Sequence, residues 1–90
     1  MRNDIMPTAY ILLNIKPQSE MEVIKQIKGI MKIEDKSVRY ELQGVYGVYD
    51  IVAKIESESM DDVKNILAKI RRIDKISSTI TMMVIEEQEV

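Results

Sequence analysis

Apolar and polar positions along the chain change period several times, and each change marks an element. The run Thr8-Ala9-Tyr10-Ile11-Leu12-Leu13-Asn14-Ile15 is short and rich in β-formers. Pro7 and Pro17 bracket it, and proline cannot donate to a ladder, so a strand is predicted over about residues 8 to 16. Apart from Asn14 both of its alternating sets are apolar, the pattern of a strand covered on two sides. Ser19-Glu20-Met21-Glu22 has capping-box form: the Ser19 hydroxyl accepts from the amide three residues on, and Glu22 reaches back. Val23, Ile24, Ile27, Ile30 and Met31 then recur at helical spacing, with Lys25, Gln26 and Lys28 outside. Gly29 weakens this helix by about 1 kcal/mol relative to alanine. The connection after it is expected to end at Asp35-Lys36.

Val38, Tyr40 and Leu42 alternate with polar residues, predicting a strand over 38–43 with one wet face, at a sheet edge. Gly44-Val45-Tyr46-Gly47-Val48 reads as a glycine-bracketed turn, and Tyr49 to Ile55 as the strand that completes a hairpin. Ser59 with Asp62 repeats the capping-box pattern. Val63, Ile66, Leu67, Ile70 and Ile73 give the next helix one apolar stripe. Its acids, Asp61 and Asp62, stand at the start and its bases, Lys69, Arg71 and Arg72, at the end, as the helix dipole prefers. A last strand is predicted from about Ser78 to Ile85, followed by the polar tail Glu86 to Glu89.

The resulting order, β-α-β-β-α-β, is the ferredoxin-like α+β arrangement. Right-handed crossovers place both helices on one face of a four-stranded antiparallel sheet. The first strand nevertheless offers Tyr10 and Leu12 to one side and Ile11, Leu13 and Ile15 to the other. The last offers Met83 and Ile85 to one side and Ile80, Met82 and Val84 to the other. Two helices cover only one side, and an uncovered apolar face of this kind marks an interface. Burying about 800 Å² per subunit, at about 25 cal/mol per Å², contributes on the order of 20 kcal/mol before association costs. A second copy is the expected cover.

Composition narrows the chemistry. The 90 residues include no cysteine, which excludes disulfides, thiolate nucleophiles and cysteine-ligated zinc. Histidine, the commonest metal ligand and general base, is also absent. A net charge of −2 gives no strong attraction to nucleic acid. Four tyrosines and no tryptophan or phenylalanine leave few platforms for stacking bases. No segment is long and apolar enough to cross a membrane, and Met1 to Met6 lacks the apolar run of a signal peptide, so a cytoplasmic protein is expected. Neither a metal nor a cofactor is expected.

Three local signals remain. In Gly47-Val48-Tyr49-Asp50 an acid follows a glycine turn at the rim of the sheet, where it can meet a cation without being buried alone. A turn acid that caps backbone amides looks the same, and composition alone favours that account. Thr79 and Thr81 are two residues apart and share one face, where hydroxyls can donate to a carboxylate or accept from an ammonium. Taken alone, β-propensity at a strand start is the better account of them. The cluster from Lys69 to Lys75 could touch phosphate, but helix C-termini favour bases anyway.

Together, Gly44 to Ile51, the helix end Lys69-Ile70-Arg71-Arg72-Ile73 and the closing run Ser78 to Ile85 resemble the effector-binding domain of the Lrp/AsnC family of transcription regulators, also called the RAM domain. The resemblance covers about residues 7 to 87, and its Gly-x-Tyr-Asp and Thr-x-Thr elements are specific when found together in this topology. It implies a single domain over residues 1–90, with flexible ends at 1–6 and 87–90. It further implies dimerisation through the sheet as a dimeric α+β barrel, assembly into an octamer or similar ring, and an amino acid or related small-molecule effector bound at dimer–dimer contacts. By position it assigns Gly47, Tyr49 and Asp50 to the hairpin-loop part of the effector site, and Thr79 and Thr81 to the last-strand part. Asp50 would pair with the ligand's α-ammonium, and the Gly47 turn amides and threonine hydroxyls would hold its carboxylate. Glycine is expected at 47 because a side chain would block backbone approach.

Family members that bind DNA carry a helix-turn-helix before this domain. Only about six residues precede the first strand here, so the resemblance implies a stand-alone effector domain. Such a domain modulates transcription through partners, full-length regulators of the family among them, without itself contacting DNA or membrane. The stretch from Gly29 to Lys36 departs from the family by being longer than the usual connection. A dimeric α+β barrel enzyme, an ACT-like allosteric domain and a plain scaffold subunit share the topology. Lack of histidine and cysteine counts against the enzyme, and the longer hairpin motif against the ACT-like domain.

Overall fold

The computed structural model describes residues 7–33 and 38–84. Among them the elements run β1 (Thr8–Ile15), α1 (Glu20–Ile33), β2 (Arg39–Gly44), β3 (Ile51–Glu56), α2 (Met60–Arg71) and β4 (Ile76–Met83). The strands form one antiparallel sheet in the order β2-β3-β1-β4, the ferredoxin-like α+β fold expected from the sequence. The ends at 1–6 and 87–90, the tail Glu86 to Glu89, Ile85 and the close of the connection at Asp35-Lys36 lie outside the described residues.

Alternation along the strands sorts side chains onto two faces. Ala9, Ile11 and Leu13 of β1 and Ile51, Ala53 and Ile55 of β3 are buried. They share one core with Val23, Ile27 and Met31 of α1 and with Val63, Ile66, Leu67 and Ile70 of α2. Both helices therefore cover the same face. β1 is central and paired on both edges, which is why its inward residues have no exposure left. β2 is an edge strand, as predicted, with Arg39, Glu41 and Gln43 on its wet side.

Several boundaries differ from the sequence reading. α1 runs on to Ile33, straight through Gly29, because Val23, Ile27 and Met31 keep the helix anchored on the sheet. β3 begins at Ile51 rather than Tyr49, because residues 45–50 turn the chain between the hairpin strands. β4 begins at Ile76, two residues early, where a register shift against β1 between Asn14 and Ile15 absorbs Ser77.

The caps also differ in detail. Pro17 and Gln18, the latter at φ 62°, turn the chain so that the Ser19 amide donates to the Lys16 carbonyl at 3.3 Å. The Ser19 hydroxyl donates to that same carbonyl, and Glu22 accepts from Gln26 one turn on instead of reaching back. At α2 the Ser59 hydroxyl does accept from the Asp62 amide, at 3.4 Å. The return half of the box passes through a third residue. The fully buried Ser57 hydroxyl accepts from the Ser59 amide at 3.1 Å and donates to the Asp62 carboxylate at 3.2 Å.

Candidate functional site

The five residues singled out in the sequence fall into two groups, one on each side of β1. Gly47, Tyr49 and Asp50 belong to the loop between β2 and β3. This loop raises an apolar tip: Tyr46 is 105% and Val48 81% exposed, with Gly47 between them. Gly47 has φ 129°, a conformation that side-chain-bearing residues rarely adopt. A Cβ there would meet nothing within 4 Å. Within the chain, then, the backbone angle by itself requires glycine.

Asp50 is fastened to the end of β1 and to its own loop. Its amide donates to the Leu13 carbonyl at 2.9 Å, and its carbonyl accepts from Val45 at 2.9 Å. Its carboxylate Oδ2 accepts from the Ile15 amide, also at 2.9 Å. The capping behaviour that composition favoured is thus present. It occupies one carboxylate oxygen, and Oδ1 accepts no hydrogen bond among the described residues. A half-buried, part-satisfied carboxylate held from three sides is oriented in advance for one further donor.

Thr79 and Thr81 project from β4 opposite Leu13 and Ile11, on the helix-facing side. Both are half-buried, and the Thr81 hydroxyl accepts from the Arg71 guanidinium at 3.4 Å. They do not meet the hairpin-loop group. β1 lies between β3 and β4, so the backbones of those two strands are two strand spacings apart, about 10 Å, while the Asp50 carboxylate itself reaches the Ile15 amide of β1. On the helix-facing side that space is filled by Leu13, which is fully buried and pairs with both Ile51 and Thr79.

The face away from the helices was expected to be apolar, and half of it is. Tyr10, Leu12, Val52, Ile80 and Met82 share it by register, with Ile80 46% and Met82 47% exposed. The half toward β2 is charged instead. There Arg39 stands opposite Glu56, and Glu41 opposite Lys54. These four residues and Tyr40 line a shallow hollow of about 220 Å³. Lys54 lies 3.9 Å from Glu56 and 5.8 Å from the Tyr10 ring centre. The quartet escaped the sequence reading because its opposite charges line up only once the hairpin register is known. No helix among the described residues is long and apolar enough to cross a membrane.

Comparison with known proteins bears on the family and the fold. A family model described as the Lrp/AsnC ligand binding domain matches residues 8–89. No curated protein matches. Among solved structures, the chain is similar to FFRP-DM1, at 32% identity and a TM-score of 0.72, over 89% of this chain and 100% of that one. It is similar to the hypothetical protein PHS023 from Pyrococcus horikoshii, at 32% identity and a TM-score of 0.72, over 91% and 93% of the two chains. It also shares the fold of E. coli AsnC, at 22% identity and a TM-score of 0.62, covering 100% of this chain and 62% of that one.

Proposed function

The chain belongs to the Lrp/AsnC ligand-binding-domain family, and from that premise we propose that it is an effector-binding and assembly domain whose site is completed between copies. The effector is an amino acid or a related small molecule. Asp50 of one copy pairs with its ammonium, while Thr79 and Thr81 of another, with amides of a Gly47 turn, hold its carboxylate. The chemistry is binding and not bond-making. Copies pair through the sheet face that the helices leave uncovered, and pairs assemble further into an octamer or similar ring. Binding at the contacts between pairs shifts the assembly equilibrium by differential affinity. Regulators that carry the same domain are the partners that read the change.

One observation carries this reading: Leu13 and the rest of β1 separate the two arms within a chain. A site completed between copies lets the hairpin loop of one chain face the threonine arm of another without Leu13 standing between them. The uncovered apolar patch on the β1 and β4 half supplies a reason for copies to meet. Light scattering on the purified protein, with and without a pool of the proteinogenic L-amino acids, tests the reading. The expected result is an oligomer whose mass or dissociation profile responds to the pool. A well-folded single subunit that ignores the pool would overturn it.

A further inference from the structure

The basic end of α2 has no part in the reading above, yet it stands over the threonine arm. Arg71 belongs to the last turn of α2, and its guanidinium reaches Thr81 Oγ1 at 3.4 Å. Thr79 stands on the same side of β4, about 6.6 Å along the strand. An exposed guanidinium and two half-buried threonines thus share one side of an edge strand. A hydroxyl can donate or accept, but arginine only donates and is always charged. That side therefore repels an ammonium and favours an anionic acceptor, and its planar fork matches a carboxylate.

The surroundings agree in sign. Along the chain Arg72 and Lys75 follow this turn, with Asp74 between them. A helix C-terminus ordinarily disfavours an anion. Here the Arg72 amide donates to the Lys69 and Ile70 carbonyls, and the Ile73 amide to Ile70, so those carbonyls are already answered. Arg71 itself is exposed, and its contact to Thr81 is long enough to be exchanged for a ligand at little cost.

We propose that Arg71 is the carboxylate anchor of the threonine arm, so that the site selects small carboxylic acids over their amides. This rests on the effector-site reading above and adds to it the residue that sets ligand charge. The test is calorimetry with the proteinogenic L-amino acids one at a time, followed by the tightest binder against its own α-carboxamide. Wild type should prefer the acid by about tenfold or more. Arg71→Gln should lose that preference and bind acid and amide with similar affinity, and Arg71→Lys, a point charge without the fork, should keep only part of it. An unchanged melting temperature in Arg71→Gln confirms the fold. If Arg71→Gln keeps the wild-type preference while Asp50→Asn loses binding, the anchor is wrong and the site reading stands. If wild type binds none of the amino acids, both are overturned.

Discussion

Replacing Asp50 separates its two roles. Its carboxylate holds the Ile15 amide at 2.9 Å, a hydrogen bond with one charged partner. Such bonds contribute about 1.5–3 kcal/mol, against about 0.5–1.5 kcal/mol for a neutral pair. Asp50→Asn keeps an oxygen in place and loses the charge, so it should cost about 1 kcal/mol of stability. Asp50→Ala removes the acceptor and leaves a part-buried amide unanswered, at about 2 kcal/mol. In a domain of this size each kcal/mol lowers the melting temperature by roughly 4–8 °C. Binding should follow a different order. Both variants lose the charge that meets the ligand's ammonium, so both should weaken binding by about tenfold or more. Thermal melts and calorimetry on the two variants read stability and affinity separately. If Asp50→Asn binds as wild type does while melting slightly lower, Asp50 is a loop fastener and has no place in the ligand site.

Two further substitutions test the framework beneath the site. A Cβ at Gly29 would meet nothing within 4 Å, so Gly29→Ala should stabilise the chain by about 1 kcal/mol and raise its melting temperature; a lower melting temperature would contradict the uninterrupted α1. Ser57→Ala removes both hydrogen bonds of a fully buried hydroxyl and should cost about 1–3 kcal/mol in urea denaturation, and a negligible change would mean that Ser57 does not hold the start of α2.

Much of the fold was legible because local signals agreed with one another. Pro7 and Pro17 bounded β1, period-two alternation marked the wet side of β2, and the stripe from Val63 to Ile70 marked α2. What stayed hidden depended on contacts between elements. The Ser19 box failed because the turn at Gln18 delivered the Lys16 carbonyl to the same hydroxyl. Ser57 was invisible because its partners meet it only after the chain turns into α2. The charged half of the open face needed the pairing of Arg39 with Glu56.

The site was legible in its parts and not in its arrangement. A spacing of two residues was enough to place Thr79 and Thr81 on one side of a strand. That β1 divides them from Asp50 follows only from the strand order, and Arg71 enters only through the packing of α2 over β4.

Mixing two defective proteins tests the division of the site most directly. One variant carries Asp50→Asn, and the other carries Thr79→Val with Thr81→Val. Each alone should bind the amino acid poorly. When they are unfolded and refolded together, random assortment pairs an intact hairpin loop with an intact threonine arm in about a quarter of the contacts. Calorimetry should then recover that share of full-affinity sites. A mixture that binds no better than its two components would show that both arms must come from one chain.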